Sequence, residues 1–113
     1  IQIWAVEPSD SPVLSGGNAG PHKLQGIGPG FVPVNYNAEV VDRVVPVDYK
    51  DAVQAVKTVA RQDGLLVGLS GGANLHVAST LAQDPSWAGK RVVAFLCDTG
   101  ERYLSLPDFK PRL

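Results

Sequence analysis

The sequence predicts an α/β fold built on a parallel sheet, and three observations predict it. Strand-like and helix-like stretches alternate along the chain, the strand-like stretches are continuous apolar runs, and those runs end on glycine and small polar residues. A strand with no polar side is buried on both faces, which implies helices above and below the sheet in a three-layer arrangement. Ligands of such sheets bind at the carboxyl ends of the strands.

Residues 1–6 read as the first strand, which Glu7-Pro8 ends because proline has no N–H for a ladder. The stretch 9–33 is rich in glycine and proline and lacks periodicity, so it is a long loop; Leu14, Leu24, Ile27, Phe31 and Val32 within it argue for order. Residues 40–47 supply the second strand. A helix begins at Asp48, with Asp51 at its positive end, an apolar stripe of Ala52, Val53, Val56, Val59 and Ala60, and Gly64 in the C′ position. Residues 65–69 are too short an apolar run for a helix and read as a third strand. Ala73, Val77, Ala78, Leu81 and Ala82 then recur at helical spacing, giving a second helix from Gly71 to about Gln83. After a turn over 85–90, residues 91–97 form a last strand, in which Cys97 is a small core side chain.

Composition narrows the function. The chain has 113 residues, 44% hydrophobic and 19% charged, as expected of one globular domain. A formal net charge of -1 and the absence of a basic run give no reason to invoke nucleic acid or an anionic membrane. No apolar stretch is long enough to span a bilayer and no signal-peptide pattern opens the chain, so a cytoplasmic setting is the default. A single cysteine excludes an internal disulfide and a cysteine-based metal site, and neither His22 nor His76 has a partner at metal spacing. The chain contains no methionine and opens directly on a strand-like stretch, which points to a piece of a longer protein.

The seam Gly64-Leu65-Leu66-Val67-Gly68-Leu69-Ser70-Gly71-Gly72-Ala73 organises the rest. Ser70 lies where strand gives way to helix, and its hydroxyl can either cap the helix or meet a ligand edge, with Gly71 and Gly72 leaving the backbone bare. Asp98-Thr99-Gly100 ends the last strand, so two separate stretches point to the same edge of the sheet. The run Gly26-Ile27-Gly28-Pro29-Gly30 is no dinucleotide fingerprint, because its glycines alternate and no helix follows. It is either a tight turn or a backbone-lined wall over a ligand. In the second reading a branched side chain at Gly28 or Gly30 would enter ligand space with little loss of fold. His22 and Lys23 read as structural loop residues, and His76 as structural on its helix.

The segment from Gly20-Pro21-His22-Lys23-Leu24-Gln25 through Phe31-Val32-Pro33, the Ser70 seam, and Cys97-Asp98-Thr99-Gly100-Glu101-Arg102-Tyr103-Leu104-Ser105 occur in this order. Together with Glu7-Pro8 and the run from Ser11 to Gly17, they resemble the C-terminal half of the cysteine synthase (O-acetylserine sulfhydrylase) and cystathionine β-synthase family. These are fold-type II, tryptophan synthase β-like pyridoxal phosphate enzymes. The resemblance runs from about Ile1 to Ser105 and implies that residues 1–113 are the C-terminal portion of that fold. The aldimine lysine and the phosphate loop would lie in an N-terminal companion segment, since Lys23, Lys50, Lys57, Lys90 and Lys110 all stand outside the family's lysine motif; no catalytic residue is then carried by this chain.

The resemblance further implies that pyridoxal 5'-phosphate is the cofactor and that Ser70 meets its pyridine nitrogen, although the family pattern is Ser-Ser-Gly where this chain has Ser70-Gly71-Gly72. Gly71, Asp98 and Thr99 would lie beside the ring. Gln25, Gly26, Ile27, Gly28 and Gly30 would border the substrate, and Glu101, Arg102 and Tyr103 would stabilise that edge of the fold. The implied reaction is β-replacement, with O-acetylserine and sulfide giving cysteine through an α-aminoacrylate; cystathionine or lanthionine formation, or O-phosphoserine use, would need only altered loop contacts. A homodimer and docking of serine acetyltransferase are implied partners. The alternative is a non-catalytic α/β module that binds a partner.

Overall fold

The computed structural model describes residues 1–109. Its element order is β1 (Trp4–Pro8), a short 3-10 turn (Val13–Ser15), β2 (Arg43–Val47), α1 (Tyr49–Asp63), α2 (Leu69–Gln83), and two further 3-10 turns, Pro85–Trp87 and Gly100–Tyr103. The strands β1 and β2 pair in parallel, with Trp4 opposite Arg43 and Pro8 opposite Val47. Pro8 therefore closes the first strand from inside it, and the ladder continues one step beyond, where the Ser9 N–H donates to the Val47 carbonyl at 3.0 Å.

The predicted first helix forms as its sequence dictates. Asp48 is extended ahead of α1, Gly64 adopts a left-handed φ of 69°, and its N–H returns to the Val59 carbonyl. The apolar stripe turns inward at Ala52, Val53 and Val56. Against it lies α2, brought unusually close at Gly72: a Cβ there would stand 2.5 Å from the Ala52 carbonyl oxygen and 2.6 Å from Val56 Cγ2. The core joins these helices to Leu24, Val47, Val67, Leu69, Tyr103 and Phe109.

Two predicted strands are corrected. Of residues 65–69 only Val67 bridges, antiparallel, to Thr99, while Leu69 already belongs to α2. Residues 91–97 pair with no strand among the described residues, and Val93 and Phe95 are 76% and 78% exposed. An extended run becomes sheet only when a neighbour takes its N–H and C=O groups, and apolar content alone does not supply one. Cys97, expected in the core, is exposed for the same reason. The α/β class with a parallel sheet holds, as two paired strands beside two packed helices. Among the described residues no helix is long and apolar enough to cross a membrane. Lys110 lies outside the described residues.

Candidate active-site edge

Ser70 is not the helix cap. The residue ahead of α2 is Gly68, extended at φ -78° and without a side-chain cap, so Ser70 falls inside the first turn and is 6% exposed. Gly71 beside it is buried too. This is the positive end of a helix whose first N–H groups have no intrahelical acceptor.

The second predicted stretch does arrive at this end. The Gly68 N–H donates to the Asp98 carbonyl at 3.0 Å, and the Gly100 N–H donates to the Leu66 carbonyl at 3.1 Å. These two bonds are the Val67–Thr99 bridge, and they fasten 98–100 to 66–68. Gly71 continues the contact, since a Cβ there would touch Leu96 Cα at 3.4 Å.

The side chains of Asp98 and Thr99 have partners of their own. Tyr103 donates its hydroxyl to Asp98 Oδ2 at 2.5 Å, and the other oxygen, Oδ1, is buried with no hydrogen-bond partner. The phenol is held above its ordinary range, first by the bond to Asp98 and then by burial. The Thr99 hydroxyl hydrogen-bonds Glu101, whose carboxyl it holds below the usual range together with the residue's own backbone N–H. Thus Tyr103, expected only to stabilise the edge, fixes a carboxylate at the site, whereas Glu101 and Arg102 are exposed.

The glycine loop forms a separate neighbourhood. Gly26, Ile27, Gly28 and Gly30 line a cavity of about 580 Å³ together with Val6 and Leu14, while Gln25 is exposed beside them. His22 braces the loop as a backbone-bonding histidine: its Nε2 lies 2.7 Å from the Gly28 carbonyl, and Nδ1 accepts the Leu24 N–H at 3.1 Å. The second bond puts the ring proton on Nε2. Lys23 lies over the Tyr49 ring at 5.5 Å, in keeping with a structural role. Gly28 has a φ of +63°, and a Cβ on it would meet Pro8 at 2.5 Å and His22 Nε2 at 3.0 Å. Its missing side chain thus makes room for the end of β1, which corrects the expectation that a branched residue there would spare the fold.

Sequence reasoning missed the roles of Glu7 and Gly68 and the bond between Tyr103 and Asp98. Glu7 is 2% exposed and accepts hydrogen bonds from the Leu14 N–H at 2.7 Å and from the Ser15 N–H at 3.0 Å and hydroxyl. A lone glutamate closing an apolar strand, followed by a glycine loop, is the signal that could have marked it. Gly68 and the pairing of Asp98 with Tyr103 left no such signal, because both depend on a chain crossing.

The residues present suit part of a pyridine cofactor. A buried hydroxyl at a helix N-terminus can meet a neutral ring nitrogen, and the bare backbone at Gly71 lets a flat ring approach. Among the described residues, this edge brings no lysine and no phosphate cradle to Ser70.

Residues 1–98 match the sequence profile of the family described as pyridoxal-phosphate dependent enzyme. A cysteine synthase of Staphylococcus aureus is 47% identical over 107 residues, covering 95% of this chain and 34% of the relative. The crystal structure of cysteine synthase from Entamoeba histolytica superposes with a TM-score of 0.93 at 41% identity, over 96% of this chain and 32% of that one. An O-acetylserine dependent cystathionine β-synthase from Helicobacter pylori gives 0.83 at 33% identity, over 100% and 35%. The chain therefore spans about a third of the length of the relatives it matches. Over that third, with Ser70 at the head of α2 and Asp98-Thr99 bridged beside it, the chain belongs to the pyridoxal-phosphate dependent enzyme family.

Proposed function

We propose that this chain is the C-terminal portion of a cysteine synthase, which replaces the acetoxy group of O-acetylserine with sulfide to form L-cysteine. The observation that carries the reading is 47% identity to a cysteine synthase along 95% of the chain. In this reading residues 1–113 work with a companion segment that contributes the lysine and the phosphate cradle. The assembled protein is a cytoplasmic homodimer to which serine acetyltransferase is a candidate partner; family membership is what supports these assignments.

Pyridoxal phosphate, when bound, supplies the electron sink for loss of the β-substituent. Ser70 is the residue that would meet its ring nitrogen, with Gly71, Asp98 and Thr99 framing the ring edge. A neutral hydroxyl at a helix N-terminus favours an unprotonated ring nitrogen, in contrast to a carboxylate. That setting suits β-elimination and replacement, where departure of a leaving group drains charge from the α-carbon. The loop Gln25-Gly26-Ile27-Gly28-Pro29-Gly30 would border the amino acid.

The test is complementation. The chain would be produced together with the N-terminal portion of the Staphylococcus aureus relative and assayed for cysteine from O-acetylserine and sulfide. Cysteine formation by the mixture and by neither part alone is the expected result. Formation of cystathionine from homocysteine, with no cysteine from sulfide, would move the assignment to a cystathionine β-synthase, the activity of the Helicobacter pylori relative.

A further inference from the structure

Two backbone hydrogen bonds, from Gly68 to Asp98 and from Gly100 to Leu66, make the Val67–Thr99 bridge that holds 98–100 to 66–68. Neither needs the Asp98 side chain. Yet that carboxylate is lodged against the head of α2, where a Cβ on Gly68 would lie 1.8 Å from Asp98 Oδ1 and 2.8 Å from Tyr103 Cε2. The φ of Gly68 is -78°, open to any residue, so glycine stands there to make space for these two side chains.

The placement is costly. Asp98 Oδ1 is buried and has no hydrogen-bond partner, and a buried acceptor without a donor lowers stability, whereas an apolar side chain of similar shape would fill the same space freely. What the carboxylate gains is its position: a negative group at the positive end of α2, against the residue two before Ser70. Tyr103 keeps it there through the bond to Oδ2, and the raised phenol keeps its proton through the neutral range, so that Asp98 remains the acceptor.

We propose that Asp98 is a positioning residue for Ser70: anchored by Tyr103 through Oδ2, it bears on Gly68 through Oδ1 and fixes how the first turn of α2 presents the Ser70 hydroxyl. The proposal rests on the reading of Ser70 as the group that meets the cofactor ring. It adds to that reading a carboxylate that acts on Ser70 through the backbone of Gly68.

The test uses Asp98→Asn, Tyr103→Phe and Ser70→Ala in the complete protein. For each, the melting temperature is measured without cofactor, and the affinity, absorbance and emission of added pyridoxal phosphate are measured separately. Asparagine keeps the shape and can accept from Tyr103, but it turns an NH2 group toward the positive helix end; phenylalanine keeps the ring and releases the carboxylate. Both variants should weaken pyridoxal phosphate binding by about three- to tenfold and shift its spectrum in the same direction as Ser70→Ala. The cofactor-free melting temperature of Asp98→Asn should stay close to that of the parent, because one unpartnered buried polar atom is exchanged for another.

If Ser70→Ala alters the spectrum while the other two stay within about twofold of the parent in affinity, the positioning role is overturned and the Ser70 reading stands. If Ser70→Ala alters neither, the Ser70 reading falls first and takes this proposal with it. A cofactor-free melting temperature of Asp98→Asn that falls in step with affinity would make the carboxylate a structural brace and also overturn the proposal.

Discussion

Ser70 sits inside the first turn of α2 behind an uncapped Gly68, so the helix does not use the serine as its cap. Ser70→Ala should therefore leave the melting temperature nearly unchanged, in contrast to the cost of about 1 kcal/mol for losing a true N-cap. In the complete protein the same change should slow leaving-group loss by about two- to tenfold, the worth of one neutral hydrogen bond. Ser70→Asp should slow it more, because a carboxylate favours the protonated ring; unchanged kinetics in that variant would rule out the contact. Tyr103 gives a second prediction at this scale. Its folded pKa is raised above 10.0, so the stability it contributes is complete below the unfolded pKa and is lost as pH rises through the folded one. Urea midpoints followed from about pH 9 to about pH 11 should fall less steeply in Tyr103→Phe than in the parent. Some slope will remain, because Tyr49 is also raised, by burial and by the charge of Asp108.

Elements in this fold meet at glycines, and the reason differs from one glycine to the next. Gly72 has ordinary helical surroundings in sequence, and alanine there gains roughly 1 kcal/mol of helix propensity. The Ala52 carbonyl, however, lies 2.5 Å from where the new Cβ would go, and forcing two backbones apart costs typically ~1–3 kcal/mol. Gly72→Ala is expected to lower the chemical denaturation midpoint; a rise would show that α1 and α2 can part freely. Gly28 and Gly26 form a matched pair in the loop. Both have positive φ, +63° and +92°, but a Cβ on Gly28 strikes Pro8 while one on Gly26 has nothing within 4 Å. Gly26→Ala should cost only the left-handed strain of about 1–2 kcal/mol, and Gly28→Val should add a packing penalty of similar size by pushing the loop off the end of β1. Melting temperatures that fall equally in both would contradict the contact with Pro8.

At the scale of the molecule, part of the exposed apolar surface lines one groove beside the first strand and α2. A groove of about 320 Å³ runs between Ile1, Trp4 and Val6 of the first segment, Val77 and Leu81 of α2, and residues 90–95. Ile1, Val93 and Phe95 stand largely in solvent around it. Large exposed apolar patches and unpaired extended segments promote association. The isolated chain is expected to self-associate at micromolar concentration, as read by light scattering, and amides of 91–97 should become protected from hydrogen exchange once the companion segment is supplied. A monodisperse monomer that unfolds cooperatively with no companion would sink that expectation.

The sequence by itself determined what neighbours along the chain can enforce. The stripe and terminal signals gave α1 from Asp48 to Gly64, the spacing of Ala73, Val77 and Leu81 gave α2, and the order of motifs gave the family. His22 was legible as a backbone-bonding loop residue, since its partners Leu24 and Gly28 lie two and six positions away. The tertiary structure alone decided whatever depends on a partner distant in sequence. The runs 65–69 and 91–97 are as apolar as true strands, but pairing is a property of two segments, and only Val67 and Thr99 meet. Whether Cys97 is buried, why Gly68 has no side chain, and which oxygen of Asp98 Tyr103 holds were all settled by where the chain crosses itself, a matter on which periodicity is silent because it records only one segment at a time.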